Sequence, residues 1–253
     1  EFFAFLEQFQ LHHFLLSALD CAYWDLFGKL ENKSFSGINQ LENKTLAESS
    51  ITISISEIDE QIRKIENSFW NKFKVKCNGF NLKNTEKLLN LNRNIALDAN
   101  ASFTKEDCLF IQETPGFQKL MYIEQPLEIG NFGILKNGNS VNWMADEDCQ
   151  DITFLEKLKP HYSSINIKLM KCGGLTPALE MITEAKKLGY KIMLGCMTES
   201  SIGISAGCAI AGLLDFADLD GANLISNDYA TGSFVDNGKI ILSEKPGLGI
   251  ALL

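Results

Sequence analysis

Short apolar runs alternate with amphipathic segments along most of this chain. Eight runs are typical of buried strands: ITISIS (51–56), KFKVKC (72–77), IALDAN (95–100), MYIEQP (121–126), NWMADE (142–147), INIKLM (165–170), YKIMLG (190–195) and FADLDG (216–221). Stretches with helical spacing lie among them, at 58–69, 85–91, 104–112, 154–157, 177–188 and 202–213. Such alternation is typical of a parallel sheet, and eight units predict a closed barrel of the α/β class.

Two flanking segments break the pattern. Residues 14–29 carry apolar side chains at helical spacing and end near Gly28, which predicts one leading helix. After Gly221 a polar loop leads to KIIL at 239–242 and to the turn residues PGLG at 246–249, which predicts a short strand outside the barrel. We therefore divide the chain into residues 1–48, a barrel at 49–235, and a final segment at 236–253.

Composition and net charge limit the kinds of molecule that this chain is expected to bind. A chain of 253 residues with 45% hydrophobic content can fill one barrel core, since (β/α) barrels commonly have about 250 residues. The formal net charge of -9 disfavours nucleic acid and anionic membrane surfaces, because like charges repel. We therefore expect a small-molecule substrate, with no nucleic-acid and no membrane partner.

The cysteines and the first residues favour a cytoplasmic location. Seven cysteines without a C-x-x-C pair predict reduced thiols rather than a disulfide framework. The opening residues EFFAF lack the basic start of a signal peptide, and the chain begins without Met, which we interpret as a fragment or a processed start. The sequence leaves the oligomeric state open, with a homo-oligomer as one possibility.

Five ionisable residues occur at nearly constant spacing in these strand runs. They are Lys76, Asp98, Glu124, Asp146 and Lys168, separated by 22, 26, 22 and 22 residues. Because all strands of a parallel barrel end on the same face, we expect the five side chains to lie together there, where barrel active sites form. The spacing therefore predicts one site.

Three of the five residues are carboxylates on consecutive strands. Asp98, Glu124 and Asp146 can converge on one hard divalent cation, and Mg²⁺ prefers oxygen ligands in an open octahedral site. The three histidines are poorly placed for a zinc site, since two of them precede the barrel. We therefore predict that the three carboxylates bind Mg²⁺. The alternative is that each of them is an ordinary loop acid or a helix N-cap.

The lysines suggest acid–base chemistry. Lys74 and Lys76 lie two apart on one strand and point to the same face, with nitrogens roughly 6.5–7 Å apart. Their repulsion, roughly 2.4 kcal/mol at an effective dielectric of about 20, would lower the pKa of one lysine toward that of a general base. Lys168 faces Lys76 from the sixth strand, so the pair can serve opposite sides of one carbon. The alternative is a set of rim lysines paired with acids.

Together these residues resemble the enolase superfamily, specifically its muconate-lactonizing-enzyme-like subgroup. The motifs are KVK (74–76), DAN (98–100), EQP (124–126), DE (146–147), IKL (167–169) followed by GG (173–174), and GCM (195–197). The resemblance implies a (β/α)7β modified TIM barrel, preceded by an α+β capping domain of which residues 1–48 are the last part. It also implies a metal-stabilised ene-diolate with lysine bases.

Within the subgroup, the run DLD (218–220) resembles the Asp-x-Asp pair of dipeptide epimerases. The resemblance implies that Asp218 and Asp220 receive the α-ammonium of a dipeptide, which a pair of carboxylates attracts. The loop CMTESS (196–201) is also similar, so its first three residues are expected to contact substrate; they are Cys196, Met197 and Thr198.

The implied reaction is Mg²⁺-dependent epimerisation, a 1,1-proton transfer at the α-carbon of the C-terminal residue of a dipeptide. Lys76 and Lys168 would be the two bases, and Lys74 would tune Lys76. The alternatives are β-elimination, as in o-succinylbenzoate synthases, a Schiff-base aldolase with Lys168 as nucleophile, and a non-catalytic metal-binding barrel. Two departures from the family pattern are Asp148, where a small polar residue is more usual, and the run ASF (101–103).

Overall fold

The eight predicted strand runs form one parallel sheet in chain order. The computed structural model describes residues 1–41, 45–138 and 141–253; residues 42–44, inside the predicted leading region, lie outside the described residues. The strands are Ile51–Ile53 (β1), Lys72–Lys76 (β2), Asn94–Asp98 (β3), Ile123–Glu124 (β4), Trp143–Ala145 (β5), Ser164–Ile167 (β6), Lys191–Gly195 (β7) and Phe216–Asp218 (β8). The predicted TIM-type barrel is thus confirmed.

The sheet closes between its last strand and the segment before its first. Ser49 forms a parallel bridge with Ala217, and the Ser50 backbone nitrogen donates to the Ala217 carbonyl at 2.9 Å. The Ser50 hydroxyl also donates to Asp218 Oδ1 at 3.0 Å. These bonds satisfy the edge of β8, so the eight strands form a nearly closed barrel.

The predicted helices are present with shifted ends, together with three short helices that the pattern did not predict. The helices are Phe2–Glu7 (α1), His13–Leu30 (α2), Phe35–Ile38 (α3), Ile58–Glu66 (α4), Leu82–Leu89 (α5), Lys105–Glu113 (α6), Leu155–Leu158 (α7), Leu169–Cys172 (α8), Leu175–Lys187 (α9) and Ser201–Cys208 (α10). The unpredicted ones are α1, α3 and α8. Short 3₁₀ turns precede α7 and follow α10.

The predicted end of the sixth strand, in the run INIKLM, was wrong. We expected a strand through residue 170, but β6 ends at Ile167 and α8 begins at Leu169, with Lys168 between them. Gly173 ends this single turn in the left-handed region at φ 103°. A short apolar run has no periodicity that separates a strand from a buried helical turn, so the sequence pattern could not find this boundary.

The barrel interior changes from apolar to charged along the strands. Ala96, Tyr122 and Met144 form a buried interior cluster with Met193. Side chains two apart on a strand point to the same face, so the next interior layer toward the carboxyl ends contains the residues that follow those three at this spacing. They are Asp98, Glu124 and Asp146. The apolar layer therefore supports the charged layer from below.

The final segment returns to α2. Strands Ala230–Thr231 (β9) and Ala251–Leu252 (β12) pair antiparallel, as do Phe234–Asp236 (β10) and Lys239–Ile241 (β11). The Leu248 backbone nitrogen donates to Asp25 Oδ1, on α2, at 2.9 Å. The predicted strand near residue 239 is thus found as β11, while the division of the chain into three regions remains a prediction.

Two further observations concern the chain as a whole. No helix in the described part of the chain is both long and apolar enough to cross a membrane. The seven cysteines are free thiols.

Candidate active site

The five residues singled out by their spacing lie at the ends of five consecutive strands. Lys76, Asp98 and Glu124 are the last residues of β2, β3 and β4 and are neighbours in the sheet register. Asp146 and Lys168 directly follow β5 and β6. Strands β2 and β6 are four apart in an eight-stranded barrel, so the two lysines extend from opposite walls. The structure therefore brings the five residues to one end of the barrel.

Lys74 occupies the centre of this charged layer. Its Nζ pairs with Asp218 and lies 3.5 Å from Asp98 Oδ2 and 3.6 Å from Glu124 Oε2. Burial alone would lower the pKa of Lys74, but attraction by Asp218, Glu124 and Asp98 outweighs it and holds the pKa well above its usual value. We expected repulsion between Lys74 and Lys76 to lower the pKa of one of them. This repulsion does not determine the pKa of Lys74, because three carboxylates surround its ammonium group.

The two lysines on opposite walls each pair with a different carboxylate. Lys76 Nζ donates to Asp98 Oδ2 at 2.9 Å and to Asn100 Oδ1 at 2.7 Å, and its side chain is 33% exposed. Lys168 Nζ donates to Asp146 Oδ2 at 2.7 Å, with a side chain 12% exposed. Burial lowers the pKa of Lys168, yet the attraction of Asp146 raises it above the ordinary value.

Glu124 is the most buried of the three acids and the least satisfied. Asn166 Nδ2 donates to its Oε1 at 2.7 Å, whereas its Oε2 has no hydrogen-bond partner among the described residues. Burial raises the pKa of Glu124 to about 8, and the attraction of Lys74 only partly offsets that cost. A buried carboxylate oxygen without a partner, beside further acids, fits a hard divalent cation.

The acids do not form a preassembled metal cluster. Within residues 1–41, 45–138 and 141–253, no three acidic, histidine or cysteine side chains converge closely enough to hold an ion by themselves. The reason is that ammonium groups lie against them, with Lys74 between Asp98 and Glu124 and Lys168 on Asp146. A cation would therefore take carboxylate oxygens that now bind lysine.

The two acids of the DLD run are buried and already have partners. Asp218 lies at the end of β8 and binds Lys74 and the Ser50 hydroxyl. Asp220 Oδ2 accepts the Thr52 backbone N–H at 2.7 Å, and its Oδ1 lies 3.9 Å from Cys196 Sγ. Burial and the charge of Asp218 raise the pKa of Asp220. Asp218 is therefore paired with Lys74, while Oδ1 of Asp220 has only a weak contact with a thiol among the described residues.

The loop after β7 contributes residues of two kinds. Cys196 is partly buried and contacts Asp220, whereas Met197 and Thr198 are exposed. The Met197 backbone N–H donates to Glu199 Oε1 at 3.1 Å, which folds the loop back on itself. The structure therefore places Cys196 next to Asp220 and leaves the other two predicted contact residues exposed to solvent.

Sequence reasoning missed two residues that touch the predicted ligands. Asn166 holds Glu124, and Lys171 on α8 pairs with Asp146. The spacing could have revealed Asn166, because it lies two residues before Lys168 and shares its face of β6. Lys171 was missed because the residues just before it, through 170, were predicted to be a strand, which hid its helical spacing of three residues from Lys168.

Asp148, the departure from the family pattern, organises the loop that carries Asp146. Its carboxylate accepts from Gln125 Nε2 at 2.9 Å, from the Tyr162 hydroxyl at 2.8 Å and from the Gly130 N–H at 2.7 Å. Gln125 Oε1 in turn accepts the backbone N–H groups of Asp146 and Asp148, each at 3.1 Å. This buried network fixes the backbone at Asp146.

The chain is similar to known proteins over most of its length. Residues 57–253 match the family model described as enolase C-terminal domain-like. The chain is 36% identical, over 99% of its length, to L-Ala-D/L-amino acid epimerase from Maribacter sp., and covers 76% of that protein. It is 35% identical, over 95% of its length, to the protein of the same name from Flavobacterium johnsoniae, and covers 73% of it.

A solved structure has the same architecture. The dipeptide epimerase from Methylococcus capsulatus, crystallised with Mg and the dipeptide L-Arg-D-Lys, superposes with a TM-score of 0.82 at 27% identity, covering 93% of this chain and 72% of that one. The fold, the site and these relatives define a member of the enolase superfamily. Within it the chain belongs to the dipeptide epimerase type, a class of isomerases.

Proposed function

We propose that this chain is the catalytic barrel of a Mg²⁺-dependent dipeptide epimerase, which inverts the α-carbon of the C-terminal residue by 1,1-proton transfer. The observation that carries the proposal is the pair of lysines from opposite walls, since Lys76 and Lys168 each bind one acid of the charged layer at the carboxyl ends of the strands, at 2.9 and 2.7 Å. Relatives named as epimerases of L-Ala-containing dipeptides support this reaction.

The proposed metal ligands are Asp98, Glu124 and Asp146. Their donor atoms are all oxygens, and the buried Glu124 Oε2 without a hydrogen-bond partner supports a cation at this point. When bound, Mg²⁺ would neutralise the substrate carboxylate and stabilise the negative charge of an ene-diolate. Epimerases from Methylococcus capsulatus and Enterococcus faecalis were crystallised with Mg, which supports the choice of metal.

One lysine would remove a proton from the α-carbon and the other would deliver a different proton to its opposite face. In one direction neutral Lys76 takes the α-proton from one face, and the Lys168 ammonium returns a proton to the opposite face; the reverse reaction exchanges their roles. Lys74 lies two residues before Lys76 on β2 and would tune Lys76 through its positive charge. The two lysines therefore pair with different carboxylates and lie on opposite walls of the barrel, but each can remove or deliver the α-proton.

The substrate's α-ammonium would bind at the DLD run. Among the described residues, the hydrogen-bond partner of Asp220 Oδ1 is the Cys196 thiol, at 3.9 Å, so this oxygen can accept an ammonium N–H. Asp218 already binds Lys74 and would add negative charge. Cys196, Met197 and Thr198 would line the substrate from the loop after β7.

The domain division belongs to the same proposal. Residues 1–48 would end a capping domain, 49–235 would form the barrel, and 236–253 would return to the cap. The bond between Leu248 and Asp25 supports that return. A cytoplasmic location and a homo-oligomer remain predictions.

The test is proton NMR of mixed L,L-dipeptides in D₂O with the intact protein and Mg²⁺, with a chelated sample as control. We expect metal-dependent loss of one α-proton signal and formation of the L,D-diastereomer. Lys168→Ala should abolish inversion yet retain deuterium exchange on the face served by Lys76, and Lys76→Ala should retain exchange on the other face. Lys187→Ala, which removes an exposed surface ion pair, is the control and should behave as the wild type.

Other outcomes would contradict the proposal. Inversion that persists in both site variants would remove the two-base assignment. A product that has lost water would indicate elimination, and turnover that resists the chelator, with a borohydride-trapped adduct on Lys168, would indicate Schiff-base chemistry. Dipeptide binding without any exchange would indicate a non-catalytic barrel.

A further inference from the structure

We propose that Lys171 is a positioning residue that holds Asp146 in its metal-binding orientation, an inference that rests on the proposed Mg²⁺ site. Lys171 Nζ donates to Asp146 Oδ1, while Lys168 Nζ donates to Oδ2 of the same carboxylate. Both lysine side chains are largely buried, at 11% and 12% exposure. One carboxylate is thus held by two ammonium groups, one on each oxygen.

The two lysines differ in where the chain carries them. Lys168 follows β6 directly and belongs to the barrel wall, whereas Lys171 lies on the single turn of α8. The backbone carbonyl of Lys171 is hydrogen-bonded to the ring of His13, the first residue of α2. Lys171 also lines a cavity of about 410 Å³ with His12, His13 and Phe14. The backbone of Lys171 is therefore held by a residue of α2.

This placement gives the two lysines different tasks. To reach an α-carbon as base, Lys168 must release Asp146 Oδ2, and that oxygen then becomes available to the cation. Lys171 has no such step to perform, so its bond to Oδ1 can persist and prevent rotation of the carboxylate. Hydrogen bonds to a ligating carboxylate commonly contribute a factor of 10–100 to metal affinity.

The matching test is metal binding in the absence of substrate. Mg²⁺ affinity of the intact protein is measured by calorimetry for the wild type and three variants: Lys171→Met, Lys171→Arg and Lys168→Met. We expect Lys171→Met to raise the Kd of Mg²⁺ by about 10–100-fold. Lys171→Arg keeps a charged donor and should stay within a few-fold of wild type. Lys168→Met removes a group that competes for Oδ2, so its affinity should be unchanged or tighter.

The different effects expected for the two methionine variants, weaker Mg²⁺ binding for Lys171→Met and no weakening for Lys168→Met, separate positioning from a general loss of charge. Simple removal of a positive charge would tighten Mg²⁺ binding in both variants, and this result would overturn the inference. If Lys171→Met fails to fold, Lys171→Gln provides the same comparison. At saturating Mg²⁺, Lys171→Met should still exchange α-protons on both faces, unlike Lys168→Met.

The inference and the proposed function fail in distinguishable ways. Wild-type protein that binds Mg²⁺ and epimerises, beside a Lys171→Met variant of equal or tighter affinity, contradicts only the role of Lys171. Wild-type protein that neither binds Mg²⁺ nor exchanges any α-proton contradicts the proposed function itself.

Discussion

Helix α9 receives its N-terminal cap from a different helix, and replacing that cap should destabilise the protein measurably. Gly174 at the N-cap position has no side chain to offer. Asp20 on α2 replaces it, with Oδ2 accepting the Thr176 N–H at 2.9 Å and Oδ1 accepting the Thr176 hydroxyl at 2.6 Å. Trp24 Nε1 donates to the same hydroxyl oxygen at 2.9 Å. The carboxylate is 1% exposed, so water cannot take its place.

The expected cost for Asp20→Ala follows from these bonds. Losing an N-cap costs about 0.5–2 kcal/mol, and leaving a buried donor unsatisfied costs about 1–3 kcal/mol. Both ranges describe loss of the same hydrogen bonds and are therefore not added, so we expect the free energy of unfolding to fall by about 2 kcal/mol. For a chain of this size that lowers Tm by about 4–8 °C. Asp20→Asn keeps an oxygen for the Thr176 N–H but loses the acceptor of the Thr176 hydroxyl; it should lose less stability than Asp20→Ala, because Asn caps helices as well as Asp.

The assay is urea unfolding followed by circular dichroism, with Asp59→Ala as the matched control. Asp59 pairs with Lys87 but its side chain is 83% exposed, so its loss should change stability by no more than about 0.5 kcal/mol. An Asp20→Ala variant as stable as Asp59→Ala would refute the cap. An Asn variant as unstable as the Ala variant would show that charge, not capping, is what matters.

Three further predictions concern metal, pH and the Asp148 network. Mg²⁺ at 100 times its Kd should stabilise the wild type by about 2.7 kcal/mol; Glu124→Gln should lose this shift in Tm, and a retained shift would exclude Glu124 as a ligand. Burial raises the pKa of Asp20 from 3.8, so the folded state keeps this proton at pH values where the unfolded chain has lost it. The contribution of Asp20 to stability therefore falls as pH rises above about 3.8, and Asp20→Asn should flatten that slope in urea titrations; an unchanged slope would contradict the assignment. Asp148→Ala leaves the Tyr162 hydroxyl without its acceptor and removes one of the two acceptors of the Gln125 amide. It should cost about 2 kcal/mol, measured by the same unfolding assay; a cost below about 0.5 kcal/mol would mean that the network is redundant.

The order of the strands was predictable because each βα unit is a local pattern. A strand needs an apolar run, a helix needs helical spacing, and parallel strands joined by helices follow one another in chain order. The spacing of the proposed metal ligands follows from the same repeat, since one unit of nearly constant length separates Asp98, Glu124 and Asp146. These features lie within short windows, so the sequence by itself determined them.

The pairing of charges was decided only by the tertiary structure. The sequence placed Lys74 beside Lys76 and predicted repulsion, but closure of the barrel brings Asp218, 144 residues away, against Lys74. In the same way, Asp20 caps helix α9 by binding Thr176, 156 residues away in the chain. Lys171 binds Asp146 because β6 ends three residues before the end of its apolar run, so that Lys171 lies on a helical turn. Hydrophobic patterns specify which face of an element is buried, whereas the partner of a buried charge depends on which elements meet around it.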